Sequence, residues 1–511
     1  MKKRVCLVLL SLFILSSCAV YSGENNDLRT LFQNGKSSIL GINIRNFNSK
    51  DINGNEIIDE GEERGNFINA VERLDEIKNM GINTLHVLPI TPTGKLKALG
   101  TAGSLYAISG FTEINTQLID KKSELSPKEQ AKYFITEAHK RGIRVIIDLP
   151  SCGSYDLFLT NPELFIKDDK MTSIVPTDWT DVRLLNTGDN SNLNQDLINI
   201  HKKFIDMVLE VGADGIRADV ATIKPYTFWV EIINYARSKD PEFMFLAEAS
   251  DSWREPPSRY AEFTPYDKLL ESGFDGYYGS FFNLKEWNAN QFIEHIKFNK
   301  KLLSSYSDKK NAIMSFSTHD EISPILIHGE KFSAMIPWLE ATLPFNPYSI
   351  DGFYSGDSYI YPWANTEAKI TETDDDSYFV HRGKLDIFNF SRKPDGKNEF
   401  LKENFKRAYK FRLDNEKLVT EGEFVPLKIL PKECSEKVFG YEIANPYEKI
   451  IVIGNLDFDN SKDRIIVKLP KLKKTEKAEI IHGNNNIRIK PKKISTSLGA
   501  GEIIVIKIKK G

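Results

Sequence analysis

Cysteine is scarce. There are four in 511 residues, and Cys6 and Cys18 fall in the first 18, which leaves Cys152 and Cys434 for the folded part. That excludes a disulfide scaffold; a single bridge is the most the chain can form. An excess of one charge is lacking too. The formal net charge is −3 and the basic residues are spread along the chain, so nothing favours a nucleic-acid partner. The one Lys-rich stretch, Lys468–Lys477, reads as a solvated face. His86, His139, His201 and His295 have no metal-ligand spacing. No glycine-rich phosphate loop follows the first apolar strand, which argues against dinucleotide binding. There is no internal repeat or low-complexity tract. After residue 15 no apolar run is long enough to cross a bilayer.

The N-terminus is built differently. Met1-Lys-Lys-Arg4 is a positive segment, and Val5–Leu15 is an apolar core too short for a transmembrane helix. Leu15-Ser-Ser-Cys18 then resembles the lipobox of bacterial lipoproteins, whose cysteine is lipidated and becomes the mature N-terminus. The resemblance implies an export signal over 1–17, lipidation at Cys18 and an exported, membrane-anchored protein of the cell envelope. Residues 18–38 read as a polar tether.

From Ile39 the chain repeats helix, glycine, strand. Asn66–Ile77 has helical spacing and stops at Gly81 before the apolar run Ile82–Ile90. Ser126-Pro127-Lys-Glu129 is a capping box with proline at the first helical position. That helix stops at Gly142, before the strand Arg144–Asp148. A third helix, from Leu197, ends at Gly212, before Gly215–Asp219. A fourth precedes Phe243–Glu248. Phe274–Tyr278, Ala312–Phe316 and Ala341–Leu343 are further strand candidates. Parallel strands with crossover helices fit an open doubly wound sheet or a closed barrel, and eight strands before about residue 350 favour a (β/α)8 TIM barrel over 39–413. Residues 151–194, after the third strand, are too long for a plain loop and read as a small insertion lobe. From 414 to 511 the periodicity changes to two, which predicts a C-terminal antiparallel β-sandwich.

The barrel is organised around Gly212-Ala-Asp-Gly-Ile-Arg217-Ala-Asp219. Arg217 and Asp219 are two apart on a strand, so they leave it on one side. Asp148, Glu248 and Asp320 also fall at predicted strand ends, where barrel active sites sit. Cleaving an acetal needs a proton for the leaving oxygen and negative charge beside the oxocarbenium ion. Two carboxylates provide both. An arginine beside the nucleophile favours its ionised form, and Leu246, Ala247 and Ala249 give Glu248 the dry setting that raises an acid's pKa.

Gly215-Ile-Arg217-Ala-Asp219, Phe245-Leu-Ala-Glu248 and Phe316-Ser-Thr-His319-Asp320 resemble three signature strands of the α-amylase family, with Thr318 where that family has asparagine. Val145-Ile-Ile-Asp148 and Asn192-Leu-Asn194 resemble two more. The resemblance covers roughly residues 40–360 in order. It implies Asp219 as nucleophile, Glu248 as general acid/base and Asp320 as transition-state stabiliser helped by His319. It further implies that Arg217 orients Asp219, that Asp148 supports the site, and that Tyr106 offers an aromatic platform to the sugar. Trp179 and Trp253 lie in loops placed to stack on sugar rings.

Cys152 and Gly153 stand where the family has Asn-His after Asp148. The branch of maltosyltransferases that uses maltose 1-phosphate shares this departure, and its motifs resemble Gly103–Ala107 and Phe245–Ala249. Asp51, Asn53, Asn55, Ile57 and Asp59 place oxygens at alternate positions, which suits a hard cation, Ca2+, in a structural role. The expected function is a retaining α-glycosidase on starch-like or malto-oligosaccharide substrates. An α-glucan transglycosylase or maltosyltransferase, and a non-catalytic glucan-binding lipoprotein, are the alternatives.

Overall fold

The computed structural model describes residues 27–53, 58–98, 103–176, 179–358, 396–470, 476–484 and 486–510. Cys18, Asn55 and Ile57 lie outside them.

Eight parallel strands close into a barrel in sequential order. They are β1 (Ile39–Ile42), β2 (Thr84–Val87), β3 (Arg144–Leu149), β4 (Gly215–Ala218), β5 (Met244–Ala247), β6 (Gly276–Tyr277), β7 (Asn311–Met314) and β8 (Asn346–Ile350). Nearly every strand residue is buried, because one face lines the barrel and the other carries helices. The crossovers start and stop as their sequences dictate. Ser126 and Glu129 close a reciprocal capping box on helix Pro127–Lys140. Helix Gln195–Val211 ends at Gly212, whose φ of 89° is the left-handed conformation glycine tolerates.

Two features differ from the sequence reading. Ala341–Leu343 is not a strand. Helix Pro324–Thr342 runs through Ala341 and Thr342, and the eighth strand begins at Asn346. Leu28–Gln33, inside the expected tether, is a helix capped by Asp27. It packs under the N-terminal ends of the strands. Phe32 is fully buried and its carbonyl accepts from Asn346 Nδ2 at 2.9 Å, while Arg29 Nε donates to Asp275 at 2.9 Å. A Cβ on Gly276 would come within 2.3 Å of the Phe32 ring, so only glycine lets this plug seat. Cys152 and Cys434 are both free and buried in different hydrophobic clusters, so no bridge joins them.

After β3 the chain makes a small lobe. Cys152–Ser154 pairs antiparallel with Val182–Leu184, and Cys152, Val182 and Leu184 share a small cluster with Ala107, Ile174 and Ile223. The C-terminal residues form a five-stranded and a four-stranded antiparallel sheet. One sheet leans on the barrel helices. Phe439 meets Phe292 at 4.9 Å, and Tyr441 OH lies 2.7 Å from Thr342 Oγ1. No helix among the described residues is long and apolar enough to cross a membrane.

Candidate active site

The C-terminal ends of β3, β4 and β5 bring three carboxylates to one guanidinium. Arg217, fully buried on β4, donates from Nη1 to both oxygens of Asp148 at 2.8 and 3.0 Å and to Asp219 Oδ1 at 3.0 Å. Its Nη2 lies 2.9 Å from Glu248 Oε1, off the line of a hydrogen bond, and makes an ion pair there. Its Nε donates to Tyr278 OH at 3.0 Å. Asp219 and Glu248 therefore face each other across a single planar cation.

The backbone supplies further donors. Ser151 N–H donates to Asp219 Oδ2 at 3.1 Å, and Ser151 Oγ bonds the Asp219 carbonyl. Val220 N–H donates to Glu248 Oε2 at 2.6 Å. Val220 has φ 32° and ψ 54°, a left-handed conformation that a β-branched residue adopts only under constraint. That turn carries the chain from the Asp219 side chain to an amide aimed at Glu248.

Three negative groups around one cation cannot share it equally. Burial pushes Asp148 up, but Arg217 and then His86 outweigh it and hold Asp148 at about 2. Burial pushes Glu248 up to about 7 despite Arg217. Burial, with Glu248 and Asp148 nearby, also raises Asp219 above the usual carboxylate range, and Arg217 only partly offsets it. Arg217 bonds Asp219, as expected from the sequence, and the same Nη1 also reaches both oxygens of Asp148. Asp219 and Glu248 are left to divide a proton. Asp219 keeps aligned donors from Arg217 and Ser151, which favour charge on Asp219 and the proton on Glu248.

Asp320 follows β7, across the mouth from Asp219. Burial and Asp219 raise it, although 36% of its side chain meets solvent. His319 Nε2 lies 3.4 Å from Asp320 and 2.7 Å from Tyr106 OH. Tyr106 donates to Asp148 Oδ2 at 2.9 Å and stacks on His319, centroids 5.7 Å apart and planes within 5°. All the residues assigned from the motif resemblance, Asp148, Arg217, Asp219, Glu248, His319, Asp320 and Tyr106, thus meet at one end of the barrel.

Three neighbours carried no sequence signal. His86, on β2, bridges Tyr348 OH at 2.8 Å and Asp148 Oδ2 at 3.2 Å. Burial keeps it neutral. Tyr278 and Tyr348 close the floor. An aromatic or a histidine inside a barrel strand reads as core until the strands next to it are known.

Above the carboxylates opens a cleft of about 440 Å3, walled by Trp179, Trp253, Phe282 and Tyr278. Its size and apolar walls suit a small organic ligand. The expected cation loop is a separate place. Asn53 Nδ2 donates to Asp59 Oδ2 at 2.8 Å, and Glu62 accepts the backbone N–H groups of Ile52, Asn53 and Asp59. Among the described residues no three His, Cys, Asp or Glu side chains converge as a metal centre.

The chain is similar to known proteins in sequence and in fold. The chain is 28% identical over 265 residues to α-amylase 2 of Dictyoglomus thermophilum, covering 50% of this chain and 43% of that one. It is 26% identical over 310 residues to the α-1,4-glucan:maltose-1-phosphate maltosyltransferase of Mycolicibacterium smegmatis, covering 57% of this chain and 41% of that one. It thus spans about two-fifths of the length of these relatives. The fold superposes on an α-amylase from Lactobacillus plantarum with TM-score 0.65 at 20% identity, over 93% of this chain and 99% of that one. No family model matches the sequence. The likeness to α-amylase-type proteins read from the motifs is carried by the sequence relatives, and the fold is the one superposed on the Lactobacillus plantarum α-amylase.

Proposed function

We propose that the protein is a retaining α-glycosidase of α-glucans. The observation that carries this is the shared guanidinium: Asp219 on Nη1 and Glu248 on Nη2 face one gap at the mouth of a barrel. Retaining enzymes need their two carboxyl groups about 5–5.5 Å apart. In the first step an Asp219 oxygen attacks the anomeric carbon while Glu248 gives its proton to the departing glycosidic oxygen. In the second, Glu248 takes a proton from water, the water oxygen attacks the anomeric carbon, and the Asp219–sugar bond breaks. Asp320, His319 and Tyr106 hold sugar hydroxyls, and Asp148 fixes Arg217.

Asp219→Asn should bring release of reducing sugar from malto-oligosaccharides down to background. Unchanged turnover in that variant removes the mechanism.

Transfer of maltosyl units from maltose 1-phosphate is the second reading, supported by the maltosyltransferase relatives. Phosphate release from that donor separates the two. The cleft wall favours hydrolysis of uncharged glucan, because Asp181 and Glu255 join the site carboxylates there and would repel a phosphate dianion. A non-catalytic glucan-binding role fits less well, since binding alone needs no such pair of carboxylates on one arginine.

We also propose that Cys18 carries a lipid anchor for an exported protein, and that the loop 51–59 holds Ca2+ in a structural role. The signal-like N-terminus supports the first. The approach of Asn53 to Asp59, with Asp51 in the same oxygen-rich loop, supports the second.

A further inference from the structure

Asp181 is a buried acid that the mechanism above leaves without a task. It sits in the insertion lobe just before strand Val182–Leu184 and lines the cleft together with Cys152, the first residue of that strand's partner. It is 4% exposed. Burial raises it to about 6, while its own backbone N–H, the Ser104 hydroxyl and the nearby Arg183 pull the other way, so it is ionised at neutral pH. The Arg183 guanidinium donates to the carbonyls of Thr180 and Val182 and lies over the Tyr155 ring. A carboxylate buried in the lining of a largely apolar-walled cleft is costly unless donors, the protein's own or a ligand's, reach it.

Two neighbours say what kind of ligand. Trp179 lines the same cleft two residues earlier, and Val182 N–H donates to its carbonyl at 3.3 Å, so the indole and the carboxylate share one short turn. A flat apolar face beside a hydrogen-bond acceptor matches a pyranose, which is apolar on its C–H face and rimmed with hydroxyl donors. Cys152 completes this wall with a thiol that burial pushes up to about 12, so it is neutral and only a weak donor. Asp181 brings a charged acceptor to this part of the lining.

We propose that Asp181, with Ser104 and Trp179, is a specificity-determining contact that holds the hydroxyls of an uncharged glycosyl unit on the lobe side of the cleft. This rests on the glycosidase reading but is tested apart from it. A charged acceptor bonded to sugar hydroxyls is worth roughly tenfold in affinity or more.

The experiment uses the full chain, the Asp181→Asn and Asp181→Ala variants, and maltoheptaose. Binding is followed by tryptophan fluorescence and turnover by reducing ends, with thermal melting to verify folding. Asp181→Ala should raise Kd and KM about tenfold with kcat within about twofold, and the nearly isosteric Asp181→Asn should lie between it and the wild type. Unchanged Kd and KM in both folded variants overturn the proposal while leaving the glycosidase reading intact. So does a loss of kcat at unchanged Kd, the mark of a structural role. Binding that weakens in the variants, from a wild type that turns nothing over, supports the contact and sinks the glycosidase. A wild type that neither binds nor cleaves maltoheptaose sinks both.

Discussion

Glu248 carries the pH dependence. It must hold a proton to act as acid, and burial places its pKa near 7. Below that value the acid form dominates; above it the proton is lost. Between about pH 5 and 9, kcat/KM should therefore fall on the alkaline side with an apparent pKa near 7. A profile flat through about pH 8.5 would contradict the assignment. Asp219 must be ionised, and its own raised pKa sets the acid limb. The charged members of this group were legible in the sequence, since each sits in a short motif at a strand end. Their couplings were not. That Arg217 serves Asp148 and Glu248 as well as Asp219 depends on how three strands register side by side, and no spacing within one strand encodes it. Asp181 was hidden for a similar reason. It lies in irregular backbone, and it faces the cleft only because Val182 pairs with Ser154.

At the scale of elements, glycine-terminated helices before apolar strands placed most of the barrel from sequence. The eighth strand was misplaced because Ala341-Thr-Leu343 is apolar enough to be either a strand or a helix end. The strand that follows, Asn346-Pro-Tyr-Ser-Ile350, begins with residues that usually mark a turn. Helix Leu28–Gln33 was missed because six residues show too little periodicity; its stability comes from docking. Phe32 carries that docking. Phe32→Ala should cost about 3–5 kcal/mol in denaturant unfolding, the usual range for emptying a buried phenylalanine site. A change under about 1 kcal/mol would mean the plug adds little. The loop 51–59 has a separate test. If it binds Ca2+, millimolar CaCl2 should raise the melting temperature, Asp59→Ala should abolish that rise, and MgCl2 should not reproduce it. An equal rise in the variant would place the ion elsewhere.

For the whole molecule, the proposed anchor precedes the plug closely in sequence. Detergent-phase partitioning of the expressed protein should be lost in Cys18→Ser; a variant that still partitions with detergent would remove the anchor. Helix Leu28–Gln33 lies against the N-terminal ends of the strands, and the carboxylates sit at the opposite ends. Only nine residues separate Cys18 from Leu28, at most about 35 Å of extended chain. A lipid at Cys18 would therefore tether the molecule through the base of the barrel, the end opposite its mouth. Polymers too large to slip between protein and membrane could then still reach the cleft, and catalysis would need no release from the surface.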